Sequence, residues 1–296
     1  QAYENGYGVA TDGKKAFGWY KKSAELGFAR GQHIVARYFR YGIGSFTKNY
    51  NKALEWYKKA SEQGYARSSQ IIGELYRKGC GDSFPKDEKK ALEWMTKATE
   101  QNSKLLHAIG WSYLRGSNGC TINYKVAFEF FTKSAQHCKD SRSMYYIGNM
   151  YLKGQYVTKD YEKVEEWYQK AADHCKSGKY EFELAEFYRD GDEMPQNYTK
   201  AIEYYTKAIE IGEDKDYICW SRTKLGIMYR NGEGVIKDDK KAFEYFNKAL
   251  EHDEDDESYE AKHLLGIMYK NGEGVRKNYK KAFELFTKSV DEGEGF

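Results

Sequence analysis

Residues 261–283 read AKHLLGIMYKNGEGVRKNYKKAF, and variants of this stretch recur along the whole 296-residue chain. Aligned on the alanine of Lys-Lys-Ala-Phe, successive copies are 36 to 41 residues apart. The aligned positions are Ala16, Ala53, Ala91, Ala127, Val164, Ala201, Ala242 and Ala282. A period of this length predicts a repeat architecture in which each unit buries its apolar stripe against its neighbours.

The residues after each aligned position form the pattern of an α-helix, here named helix B. Small or apolar residues stand at offsets 3, 4, 7 and 8, which is one stripe of a helix. Asp or Asn stands four residues before every aligned position, where its side-chain oxygen accepts the free N–H groups of a first turn. These predicted N-caps are Asp12, Asn49, Asp87, Asn123, Asp160, Asn197, Asp238 and Asn278.

A second helix, here named helix A, precedes each full helix B. It carries a small residue with an aromatic residue three positions later, as in Gly226 and Tyr229. A glycine inside a helix costs roughly 1 kcal/mol relative to alanine, so its repetition predicts close packing of helix A on helix B. A further glycine follows three residues after the aromatic one and predicts the end of helix A through a positive φ. These glycines are Gly42, Gly79, Gly116, Gly154, Gly191, Gly232 and Gly272, with Gly6 in the first unit.

The pattern Leu265–Val275 followed by Lys281-Ala282-Phe283 resembles the Sel-1-like repeat family, a relative of the tetratricopeptide repeats. The resemblance covers nearly the whole chain and implies an all-α fold, a right-handed superhelical solenoid of antiparallel helix pairs. We expect one solenoid over 1–296, with helix B alone in a partial first repeat at 1–27. Seven full repeats are predicted at 28–64, 65–102, 103–137, 138–173, 174–214, 215–252 and 253–296. Because the chain begins inside one repeat and stops just past a helix B, we expect it to be part of a longer protein.

The resemblance also implies a function, a non-enzymatic scaffold or adaptor for protein partners, without cofactors. Two alternatives stay open, a regulatory repeat region of a larger enzyme such as a kinase, and a lumenal scaffold for protein quality control. Composition adds exclusions: no apolar run is long enough to span a membrane, and a net charge of +3 argues against nucleic acid. Five cysteines, none within ten residues of another, are not a disulfide framework. They favour a cytoplasmic location, with the endoplasmic reticulum lumen as the alternative.

Helix A lines the concave surface in solenoids of the family that this chain resembles. Counted from the small residue of helix A, positions −6, −3, +1 and +4 are then predicted to face the groove. The first five −6 positions are all basic, and we name them the basic ladder: Arg30, Arg67, Lys104, Arg142 and Lys179. The other predicted ligand-binding residues are His33, Arg37, Arg40, Gln70, Arg77, His107, Trp111 and Tyr145. Guanidinium groups bind carboxylates and phosphates with paired hydrogen bonds, so the predicted partner is an acidic or phosphorylated peptide.

Other motifs give weaker signals, and we predict no catalytic residue and no metal site. Ser45 and Lys48 match Ser-x-x-Lys, but no further motif of that chemistry follows. His137-Cys138 and His174-Cys175 contain zinc-ligand types, yet equivalent points of stacked repeats lie too far apart to share one ion. The last two repeat steps are longer, and the extra residues are predicted between helix B and the next helix A, at 213–216 and 252–257. The second insertion is acidic and is either a solvated loop or a contact site for a basic partner.

Overall fold

The computed structural model describes residues 13–44, 46–80, 84–116, 121–252 and 258–293. Within these ranges the chain forms fifteen α-helices and one short 3₁₀ helix, Leu250–His252, and no β-strand. The all-α repeat architecture is therefore confirmed. The helices fall into two compact units, unit 1 at 1–138 and unit 2 at 139–296.

Unit 1 contains seven described helices, of which the even-numbered ones are helix A of their repeats. They are α1 (Gly13–Glu25), α2 (Ala29–Tyr41), α3 (Tyr50–Glu62), α4 (Ala66–Lys78), α5 (Glu88–Gln101), α6 (Leu105–Arg115) and α7 (Tyr124–Cys138). Each helix A packs most extensively on the helix B that follows it in the chain, and α1, α3 and α5 also contact the helix A that follows each of them.

Unit 2 repeats the same arrangement with eight helices. They are α8 (Ser141–Lys153), α9 (Tyr161–His174), α10 (Lys179–Asp190), α11 (Tyr198–Ile211), α12 (Lys215–Asn231), α13 (Asp239–Ala249), α14 (Tyr259–Asn271) and α15 (Tyr279–Gly293). The first insertion differs from the prediction, because Lys215 and Asp216 begin α12 instead of lying between helices. Asp214 caps that added turn, and the acidic residues 253–257 of the second insertion lie outside the described residues.

The predicted N-caps of helix B are confirmed wherever the structure describes them. The side chain accepts a hydrogen bond from a first-turn N–H at seven positions: Asn49, Asp87, Asn123, Asp160, Asn197, Asp238 and Asn278. Asp12 and Gly6 lie outside the described residues. Each cap satisfies a backbone donor that would otherwise lack a partner in the helix.

Glycine has two separate roles in the repeat, as predicted. At Gly272 the backbone has φ 77°, and its N–H donates to the carbonyl of Met268, which ends α14. All seven predicted end glycines have φ between 64 and 78°. At Gly110 a Cβ atom would lie 2.9 Å from two carbon atoms of the Phe131 ring. The absence of a side chain therefore lets helix A approach the buried ring of helix B.

Candidate functional site

The basic ladder lies at the beginning of helix A in five successive repeats. In unit 1, Arg30 and Arg67 are second residues of α2 and α4, and Lys104 immediately precedes α6. All three side chains are exposed. Among the described residues none of them forms an ion pair, and Arg67 donates only to the neutral side chain of Gln70, at 2.8 Å.

The starts of α2 and α4 lack the side-chain caps that the structure shows at seven helix B starts. The cap residues are Phe28 for α2, Tyr65 for α4 and Lys104 for α6, and none of their side chains accepts a backbone hydrogen bond. A helix N-terminus carries partial positive charge, which disfavours a cation and favours an anion. At α6 the Asn102 side chain accepts from the backbone N–H of Lys104 at 3.1 Å, so the exposed basic side chains beside uncapped N-termini are those of α2 and α4.

The two ladder residues of unit 2 have partners within their own unit. The Nε of Arg142 lies 3.2 Å from Asp140, whose other oxygen caps α8. The ammonium group of Lys179 lies 5.8 Å from the ring centre of Tyr145. An internal carboxylate therefore occupies the start of α8, in contrast to the helix starts of unit 1.

His33 is buried in unit 1 and is surrounded by arginines. Its side chain is only 7% exposed, and its Nδ1 lies 2.9 Å from the hydroxyl of Ser68. Burial, followed by the charges of Arg37, Arg67 and Arg40, lowers the pKa of His33 to about 4. His33 is therefore neutral near pH 7. The His33 side chain is buried near the three arginines and does not project into a groove.

Arg40 and Arg67 are connected through polar residues of α4. Arg40 pairs with Glu74 at 3.7 Å and also lies 5.0 Å from the ring centre of Tyr41. Gln70 accepts from Arg67 and donates to Glu74 at 3.1 Å. Glu74 is thus an internal carboxylate next to the predicted anion site, and sequence reasoning missed its role.

The prediction that Arg77 faces a ligand is wrong. Its side chain is 1% exposed, and its guanidinium carbon lies 5.8 Å from the ring centre of Tyr113 in α6. Position +4 therefore lies against the helix A of the next repeat. Leu152, at the same position of α8, is also buried.

The predicted aromatic members of the groove are half-buried. The His107 ring lies 5.7 Å from Phe131, and Trp111 lies under the guanidinium group of Arg115 at 4.7 Å. In unit 2, Tyr145 contacts the rings of Tyr168 and Tyr180. His107 and Tyr145, both at position −3, therefore pack partly on helix B and stay partly exposed, unlike the buried His33.

No feature of the described residues points to a metal centre or a membrane span. No group of three His, Cys, Asp or Glu side chains in these ranges is placed to hold a metal ion. No helix that the structure describes is both long and apolar enough to cross a bilayer. Ser45 of the Ser-x-x-Lys motif and Cys120 lie outside those ranges.

Comparisons with known proteins agree on the repeat. A model of the Sel1 repeat matches eight segments, at residues 1–28, 29–65, 72–103, 105–137, 141–174, 179–213, 221–254 and 260–294. A Sel1 repeat protein from Oxalobacter formigenes is 24% identical with a TM-score of 0.55, over 96% of this chain and 79% of that one. A protective antigen of uropathogenic Escherichia coli with an SLR fold is 25% identical with a TM-score of 0.49, over 99% and 67% of the two chains. No curated protein sequence matches.

Proposed function

This chain belongs to the Sel1 repeat family, and we propose that it is a scaffold whose unit 1 binds an acidic or phosphorylated peptide of a partner protein. Sel1 and tetratricopeptide-like repeat proteins generally mediate protein–protein interactions and are typically non-catalytic. The proposed site is the cationic surface, which we define as Arg30, Arg37, Arg40, Arg67 and Lys104 on helix A of the first three full repeats.

One observation supports this site above all: exposed cations stand beside helix starts that have no anionic cap. Arg30, Arg37 and Lys104 form no ion pair among the described residues, and the starts of α2 and α4 have no side-chain cap. Before α6 the Asn102 side chain accepts from the backbone N–H of Lys104. A carboxylate or phosphate at the start of α2 or α4 would compensate the basic side chains and accept from first-turn backbone N–H groups. Both interactions favour the same kind of ligand.

The buried His33 adds no charge to the site. A protonated His33 would add charge, but its low pKa of about 4 keeps it neutral near pH 7. The positive field therefore comes from the arginines, whose charge does not change with pH in this range. Glu74 already pairs with Arg40, so an incoming anion competes with this carboxylate. Arg142, Tyr145 and Lys179 of unit 2 stay predicted contacts outside this core proposal.

The proposal is tested with a labelled Asp/Glu-rich peptide and its phosphoserine counterpart in fluorescence anisotropy. The double variant Arg67→Glu/Lys104→Glu should weaken binding by about tenfold or more, since exposed ion pairs contribute up to about 1 kcal/mol each and reversal adds repulsion. The matched control is Lys89→Glu/Lys125→Glu, two exposed lysines on helix B of unit 1 with the same change in net charge. The affinity of the wild type should also fall with added salt. Equal weakening by both variants would show only a net-charge effect.

A second variant separates the helix start from the arginines. Phe28 has an extended backbone and a side chain that is 62% exposed, so Phe28→Asp is expected to cap α2 without loss of packing. The cap should stabilise the protein by about 1 kcal/mol, while its carboxylate repels the acidic peptide and occupies the free N–H groups. Higher stability with unchanged affinity would exclude the start of α2 from the site.

A further inference from the structure

Helix α12 in unit 2 is longer than the other first helices of the repeats. It has 17 residues, whereas the remaining A helices have 11 to 13. Asp214 caps the added turn, which carries Tyr217 on its surface. The longer repeat step therefore adds an aromatic side chain within helix A, three residues before Trp220.

Tyr217 completes a cluster of three aromatic rings on α10 and α12. Its ring centre lies 5.1 Å from that of Trp220 and 5.8 Å from that of Phe182, and Trp220 lies 5.9 Å from Phe182. The inner side of Phe182 contacts Tyr205 of α11, at 5.8 Å. All three rings of the cluster are half-buried, so they rest on the core and leave apolar surface exposed.

Carboxylates surround this exposed aromatic surface. Burial raises the pKa of Tyr217, and the nearby charges of Glu183, Asp214 and Asp216 raise it further. Burial also raises the pKa of Glu183, although the charge of Lys179 opposes the shift. Glu183 forms no ion pair among the described residues. The rings and the Glu183 carboxylate together are named the aromatic–acidic patch: Phe182, Glu183, Tyr217 and Trp220.

We propose that the aromatic–acidic patch binds a basic segment of a partner protein, with an arginine or lysine side chain on the exposed rings beside Glu183. The negative face of an aromatic ring attracts a cation, and a partly desolvated carboxylate next to it strengthens that attraction. An acidic segment would meet like charge here. The patch therefore selects a ligand of opposite charge from the one proposed for the cationic surface of unit 1, and it does not depend on that proposal.

The probe for this surface is a fluorescein-labelled peptide of alternating arginine and glycine, measured by anisotropy at low salt. A peptide with citrulline in place of each arginine has the same shape without the charge. We expect saturable binding of the arginine peptide and much weaker binding of the citrulline peptide. Absence of saturable binding, or equal binding of both peptides, would overturn the proposal.

Variants on the patch locate the binding. Tyr217→Leu and Glu183→Gln should each weaken binding by about fivefold, the size expected for one cation–aromatic or exposed charge contact. Tyr217→Phe keeps the ring and should stay within about twofold of the wild type. The matched control Tyr161→Leu removes another surface tyrosine of unit 2 and should have no effect. Thermal unfolding followed by circular dichroism establishes that each variant is folded. If Tyr217→Leu unfolds α12, Glu183→Gln still tests the proposal, because it leaves all three rings in place.

One competing place for a basic peptide is the acidic segment 253–257. The variant Asp255→Asn/Asp256→Asn neutralises part of that segment and should leave the affinity unchanged. The proposal is wrong if this variant abolishes binding while Tyr217→Leu and Glu183→Gln bind like the wild type.

Discussion

Replacing Gly110 with alanine should destabilise unit 1, although alanine is the better helix former. The new Cβ would lie 2.9 Å from two carbon atoms of the Phe131 ring and 3.3 Å from a third. Carbon atoms normally meet at about 3.5–4.0 Å, and Phe131 is fully buried. Overpacking of this kind costs about 1–3 kcal/mol and the helix gains roughly 1 kcal/mol. The difference is a net loss of up to about 2 kcal/mol in the free energy of unfolding.

The same substitution at Gly18 should have the opposite sign. Gly18 also lies inside a helix of unit 1, α1, and apart from the backbone of its own helix no heavy atom of the described residues lies within 4 Å of its ideal Cβ. Only the backbone effect remains, so Gly18→Ala should raise the free energy of unfolding by up to about 1 kcal/mol. The pair therefore separates contact with a neighbouring ring from intrinsic helix preference.

Urea unfolding followed by circular dichroism measures both variants, and hydrogen exchange shows which helices open. The local measurement is needed because repeat arrays depart from all-or-none unfolding. Adding Phe131→Leu to the Gly110→Ala background should recover part of the loss, which a double-mutant cycle would detect as coupling. If Gly110→Ala is as stable as the wild type, or if Gly18→Ala loses as much, the close-approach explanation for the repeated glycine is wrong.

Three further predictions concern unit 2. Glu181 is 1% exposed, and burial raises its pKa above the ordinary 4.5. The charged form of Glu181 therefore destabilises the fold. The free energy of unfolding should rise as the pH falls through the folded pKa toward 4.5. Glu181→Met, which copies Met144 at the equivalent position of α8, should therefore add about 1 kcal/mol or more at pH 7 and remove this rise in an acid titration of urea midpoints. Asn197→Ala removes the cap of α11 and should lower the free energy of unfolding by about 1 kcal/mol, whereas Asn197→Asp should retain the stability of the wild type. Equal urea midpoints for the wild type and both variants would refute the capping role. Glu273→Gln breaks the 2.9 Å ion pair with Arg230. The free energy of unfolding should fall by up to about 1 kcal/mol at low salt and by less at about 1 M salt. A loss of stability that is independent of salt would contradict an ionic origin.

The features that sequence predicts well are those decided by a few neighbouring residues. A capping side chain such as Asn49 contacts an N–H only three residues away, so residue type and spacing are enough to predict it. A terminal glycine such as Gly272 acts through its own backbone angle. The packing of Gly110 on Phe131 was also predictable, because both positions recur with the repeat.

The groove was harder to predict, because exposure on helix A depends on how the next helix pair packs. Arg40 and Arg77 occupy the same repeat position and were both expected to face a ligand. In the structure Arg40 pairs with Glu74 of the next helix A, and Arg77 is buried beside Tyr113. Helical spacing gives the face of a single helix but not the angle between successive pairs, so it does not distinguish an open position from a contact between repeats.

Within the basic ladder, an arginine at one helix start has an internal carboxylate as its partner, and an arginine at another helix start has none among the described residues. Arg67 and Arg142 are both second residues of a helix A. Asp140 caps α8 and holds the guanidinium group of Arg142, whereas Tyr65 precedes α4 and provides neither a cap nor a charge. The cation at the helix start has a carboxylate of its own chain in the first case, whereas in the second its side chain donates to the neutral Gln70 and an anion would have to come from elsewhere. The residue before the helix is therefore the better indicator of an anion site, and by this criterion unit 1 is the stronger candidate.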